Sequence, residues 1–183
     1  SRASSSQAGK LNTRVVAASA PLREAGLTDD AAYAEHRLAA DITPPTVVTS
    51  GLECWPAWRG ALAATTRVLS FPAWLLEALD RGRLKIRVSP ALRVRVFDGC
   101  ASRRPGVHGS TPDPLREVLT RCGASCVNDA LGAATAVCCG AAGAMAELAP
   151  ASATRMAQAR LREASANAII VTSDPRCGAH RRG

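Results

Sequence analysis

Apolar residues in this chain fall into short β-branched runs that alternate with longer, amphipathic stretches. The short runs predict strands at 46–50, 66–70, 93–98, 124–128 and 167–172, and the longer stretches predict helices at 28–42, 55–64, 72–81, 113–122 and 151–166. Pro72, Pro114 and Pro150 stand near the predicted helix starts, where a missing backbone N–H costs little. Gly82 and Gly123 stand just past predicted helix ends, where a left-handed residue closes the last turn. Strands that alternate with helices predict an α/β fold with mainly parallel sheets. In such sheets functional groups gather beyond the carboxyl ends of the strands.

The pattern repeats internally. Val47-Val48-Thr49-Ser50-Gly51-Leu52-Glu53-Cys54 aligns with Ile170-Val171-Thr172-Ser173-Asp174-Pro175-Arg176-Cys177, and a helical stretch precedes each. An offset of this size predicts two related halves rather than a solenoid. The expected division is a flexible N-terminus at 1–14, a truncated and degenerate first half at 15–65, and a second domain at 66–183. The first half has small residues where the second has Cys138 and Cys139, and it keeps only Cys54.

Composition narrows the partners. The net charge is +8, almost all from arginine, and the arginines are scattered rather than clustered. With only 3% aromatic residues there is little to stack bases on, so no nucleic acid partner is expected. Few aromatics also leave alanine and valine to fill much of the core. No apolar run approaches the ~20 residues that span a bilayer. Residues 1–23 carry Arg2, Lys10, Arg14 and Arg23, several serines and no acid, the composition of an organellar transit peptide or of a flexible terminus.

The chemistry concentrates in cysteine. Cys138-Cys139-Gly140 places two thiols side by side with a glycine that lets the loop close around an inorganic core. Cys100 and Cys177 bracket the pair at equal distances, across 101–137 and 140–176. Cys54, Cys100 and Cys177 each follow a predicted strand. Seven cysteines are odd in number and not spaced as a disulfide scaffold, which points to thiolate ligands in a reducing compartment. Cys122 and Cys126 lie outside the bracketed pattern and read as buried small hydrophobes. Four thiolates suffice for one 4Fe-4S cluster; a four-sulfur zinc site and a metal-free cysteine group are the other readings.

These motifs resemble the cysteine-rich "CCG" domain of iron–sulfur electron-transfer proteins. That group includes the cysteine-rich subunit of heterodisulfide reductase, the lactate-utilisation iron–sulfur protein and the glycolate oxidase iron–sulfur subunit. Cys138-Cys139-Gly140-Ala141-Ala142-Gly143 is similar to the Cys-Cys-Gly-Ser-Ala-Gly of the glycolate oxidase subunit, and Thr172-Ser173-Asp174-Pro175-Arg176-Cys177 to its Thr-Gly-Asn-Pro-Gly-Cys. Pro114-Leu115-Arg116-Glu117-Val118-Leu119 looks like the helix that follows the first family cysteine. The resemblance covers 65–180 well and 17–60 loosely. It implies Cys100, Cys138, Cys139 and Cys177 as ligands of a 4Fe-4S cluster.

The resemblance also implies an oxidoreductase complex: an electron-transfer subunit working with a flavoprotein and a ferredoxin-type subunit. The location would be cytoplasmic or in the mitochondrial matrix, peripheral on the inner membrane face. A cluster-free structural subunit of such a complex is the alternative. The family's ferredoxin-type Cys-x-x-Cys-x-x-Cys motif is missing here, so an electron path is expected to need partner subunits. Phe97 stands where the family has His, Gly99 where it has Pro, and Asp174 where many relatives have Cys. Asp174 reads as a turn residue ahead of Pro175, with an oxygen ligand or a supporting acceptor as the other options. His36, His108 and His180 read as surface residues. Trp55 and Trp58, three apart on one helix, are expected in the core or as anchors of a subunit contact.

Overall fold

The computed structural model describes residues 26–40, 45–50, 55–62, 64–87, 92–103, 113–127, 137–142, 145–162 and 168–180. Helix α1 (Thr28–Ala40) leads to strand β1 (Thr46–Thr49), helix α2 (Trp55–Ala61), strand β2 (Arg67–Ser70) and helix α3 (Phe71–Asp80). Strand β3 (Arg93–Val96) follows, then a 3-10 turn (Cys100–Arg103), helix α4 (Pro114–Arg121) and strand β4 (Ser125–Cys126). Helices α5 (Met145–Leu148) and α6 (Pro150–Arg162), strand β5 (Ile169–Val171) and helix α7 (Pro175–His180) complete the order.

All strand pairs among the described residues are parallel, as the α/β pattern predicts. β1 pairs with β2 in register Val47 to Val68, a small sheet that straddles residues 65 and 66. The second sheet has the order β4-β3-β5, with Val94 facing both Cys126 and Ile169. The β3–β5 ladder continues past its last pair, because the Phe97 N–H donates to the Val171 carbonyl at 2.7 Å. A central strand is covered on both faces, and Val94, Val96 and Phe97 are all buried. A fully buried valine contributes about 1.5 kcal/mol or more, so this strand anchors the second sheet.

Local chemistry sets the helix ends. The Ser70 hydroxyl caps α3 by accepting from the Ala73 N–H, and the Asp113 carboxylate caps α4 by accepting from the Arg116 N–H. Gly82 and Gly123 take φ of 67° and 81° beyond the ends of α3 and α4. α3 packs on α4, and an Arg121–Asp80 ion pair joins them.

Trp58 is 6% exposed and belongs to the core. Trp55 is half-buried; its indole N–H donates to the Val68 carbonyl at 3.3 Å and its ring packs on Ala101. Trp58 is thus closed off inside the chain, the core position of the two expected for it. Trp55 ties the first sheet to the 3-10 turn that starts at Cys100. Residues 1–14 and Cys54 lie outside the described residues. Among the described residues no helix is long and apolar enough to cross a membrane.

Candidate metal centre

The site lies beyond the carboxyl ends of β3 and β5. β3 runs through Phe97-Asp98-Gly99 into the turn that carries Cys100. An ion pair fixes that exit: Arg116 of α4 reaches both Asp98 oxygens, at 3.3 and 2.8 Å, and also its own cap Asp113. Burial alone would lower the Arg116 pKa, but its hydrogen bonds to Asp98 and Asp113 outweigh it and raise the pKa. A planar fork held by two carboxylates is a rigid tether. The Ser102 hydroxyl donates to the Gly99 carbonyl at 2.7 Å and tightens the turn.

β5 ends in Thr172-Ser173-Asp174, and Asp174 starts α7. Its Oδ1 accepts from the Arg176 and Cys177 N–H groups, at 3.0 and 3.2 Å. Asp174 is therefore a buried helix cap that sets the backbone position of Cys177, a more specific role than a plain turn. Its other oxygen faces Gly99, where an added Cβ would stand 3.0 Å from it. Gly99 thus allows the two strand exits to approach each other.

The Cys138-Cys139-Gly140 loop enters from the side. The Gly140 N–H donates to the Cys138 sulfur at 3.3 Å. Gly140 has φ +86°, and a Cβ there would meet the Ala153 Cα at 2.8 Å and its carbonyl oxygen at 2.9 Å. Only glycine lets the loop lie against α6. α6 presents the buried Ala153 and Ala157 as a small-residue face, and its buried Arg160 lies 4.8 Å over the Phe97 ring.

Cys139 and Cys177 are 3% and 5% exposed and cluster with Phe97 and Ala141, flanked by Ile170. Their sulfurs stand 3.2 Å apart, in hydrogen-bond contact. The hydrogen bond from Cys177 draws Cys139 down to about 6, against its burial; the Ala141 N–H and the charge of His180 help. The same bond and burial push the Cys177 thiol far up. Cys100 is pushed up to about 11, first by burial, then by the charges of Cys138, Cys139 and Asp174 and a hydrogen bond with Cys138. The four cysteines thus lie near enough to influence one another, as two linked pairs with Asp174 nearby.

His180 was expected at the surface. It is partly buried, 3.2 Å from the Ala153 carbonyl through Nε2, and it bears on Cys139. The signal was its position one helical turn after Cys177, hidden because helix α7 carries no apolar period. Cys122 and Cys126 are half-buried, not fully buried, and stay apart from the site: Cys122 caps the end of α4 and Cys126 lies in β4. His108 and the His36 side chain lie outside the described residues.

The donor set suits a soft, thiolate-bound metal or cluster. The sulfur positions are more closed than a metal requires. A tetrahedral zinc with Zn–S near 2.3 Å separates its sulfurs by about 3.8 Å. Among the described residues no group of three or more His, Cys, Asp or Glu is placed to hold an ion. A single ion would require Cys139 and Cys177 to part slightly, and a 4Fe-4S cluster, with each cysteine on its own iron, would require them to part much further.

Residues 94–181 match the family model described as the cysteine-rich domain, CCG, which spans all four cysteines. No curated protein and no solved structure matches the chain.

Proposed function

We propose, from the match of residues 94–181 to the cysteine-rich domain family, that the chain is an iron–sulfur electron-transfer subunit. Cys100, Cys138, Cys139 and Cys177 would hold one 4Fe-4S cluster. The observation that supports this reading is the contact of Cys139 with Cys177 beyond the ends of two adjacent parallel strands, with Cys100 and Cys138 close enough to influence them. Such a cluster supplies one-electron redox chemistry, and the protein tunes it through charge, hydrogen bonds and burial. Here the Gly140 N–H to Cys138 and the Ala141 N–H to Cys139 would stabilise thiolate charge. Phe97 and Ile170 would exclude water from one side.

The partners proposed are a flavoprotein and a ferredoxin-type subunit of a membrane-associated, flavin-dependent dehydrogenase of the glycolate, lactate or heterodisulfide reductase type. The chain would be peripheral on the inner face of the membrane, in a cytoplasm or mitochondrial matrix. Its +8 charge suits an acidic partner surface. A second reading, a cluster-free accessory subunit, draws on Phe97: an apolar ring packed on Cys139 and Cys177 occupies the place of the family's histidine. Anaerobic titration with a low-potential reductant separates the two. The first reading expects a visible absorption band that bleaches with one electron per chain. A colourless chain that takes up no electrons overturns it.

A further inference from the structure

Cys139 and Cys177 invite a second chemistry. Their sulfurs are 3.2 Å apart, buried together, and brought there from a loop and from a separate capped helix. Closing that gap to a disulfide takes about 1.1 Å, given an S–S bond near 2.05 Å. Opening it to a tetrahedral metal takes about 0.6 Å in the other direction. The pair therefore sits between two covalent states. Cys100 is associated with Cys138 rather than with either member of this pair as a hydrogen-bond partner.

We propose that Cys139 and Cys177 form a reversible disulfide in the metal-free chain, and that this bond blocks metal loading. The oxidant is a peroxide. One sulfur of the pair attacks a peroxide oxygen, the O–O bond breaks, and a sulfenic acid and one water result. The second sulfur then attacks the sulfenic sulfur; the S–S bond forms, the S–O bond breaks, and hydroxide leaves with the second thiol's proton as water. Two thiols and one hydrogen peroxide give one disulfide and two waters. A dithiol reductant reverses the bond by exchange. The disulfide removes two of the four donors, so loading is lost until reduction restores them. Only this loading step rests on the metal-binding reading above; the disulfide itself does not.

The test uses the full chain, stripped of metal under reductant, then treated with hydrogen peroxide, alkylated, and mapped by mass spectrometry. A dominant cross-link between Cys139 and Cys177 is expected. It should vanish in Cys139→Ser and in Cys177→Ser and persist in Cys122→Ser. A dominant link between any other two cysteines, or full alkylation of both Cys139 and Cys177, overturns the proposal. The wild-type map decides this even where a serine variant misfolds. Zinc uptake by the oxidised chain should be lost and should return after reduction; equal uptake by both forms overturns the block. An iron-free native chain that still forms the link would refute the cluster reading alone.

Discussion

Replacing Gly140 by alanine should unlock the site. Two costs add. The residue sits at φ +86°, where an L side chain is strained by about 1 kcal/mol or more. The new Cβ would also stand 2.8 Å from the Ala153 Cα, while carbon atoms pack best at about 3.5 Å or more. Ala153 is fully buried, so α6 must shift by about 0.7 Å, an overpacking that costs about 1–3 kcal/mol. The sum, near 3 kcal/mol, is a large share of a typical folding free energy. It should lower Tm by about 9 °C in a chain of this size. Gly82→Ala is the control: its φ is similarly positive, at 67°, but nothing lies within 4 Å of the added carbon. It should cost only the strain, about 1 kcal/mol and about 3 °C. Thermal and urea unfolding of both variants, followed by circular dichroism, measures the difference. Equal losses for the two would refute the claim that the loop is wedged against α6.

Other expectations follow from the same geometry. Arg116→Met should cost about 2–4 kcal/mol in urea unfolding, because it strands the largely buried Asp98 carboxylate. Arg121→Ala, at an exposed pair, should cost about 1 kcal/mol or less. Cys138→Ala and Cys139→Ala should each remove the visible absorption of the purified protein while Cys122→Ala keeps it; equal loss in all three would indicate general unfolding. In the metal-free chain, the drawn-down Cys139 should be a thiolate above about pH 6 and a thiol below it, while Cys100 stays protonated to about pH 11. Thiolate ultraviolet absorbance against pH checks this, and a Cys139→Ser variant that retains the lower step would contradict the assignment.

Where local chemistry decides, the sequence was legible. Pro72, Pro114 and Pro150 mark helix starts because a proline ring is tolerated there whatever lies around it. Gly82 and Gly123 mark ends for the equally local reason of their positive φ. Where partners decide, it was less so. The expected strand at 124–128 narrows to Ser125–Cys126, since its register pairs it only with Arg93 and Val94. Helix α7 has no periodic signature, because Pro-Arg-Cys-Gly-Ala-His has no apolar rhythm; the Asp174 cap starts it. The pairing of β1 with β2 depends on contacts that no motif announces. The cysteines were visible as a set, but their division into two pairs, and the bearing of His180 on one of them, arise only from the crossing of β3, β5 and α6.

The central claim is that four thiols, two after strand ends and two on the Cys138-Cys139 loop, hold an iron–sulfur cluster. Iron and acid-labile sulfide content of the anaerobically purified chain tests it most directly. The account predicts about four irons and about four sulfides per chain, the stoichiometry of a cubane with four cysteine ligands. One zinc per chain without sulfide, or no metal at all, would contradict it.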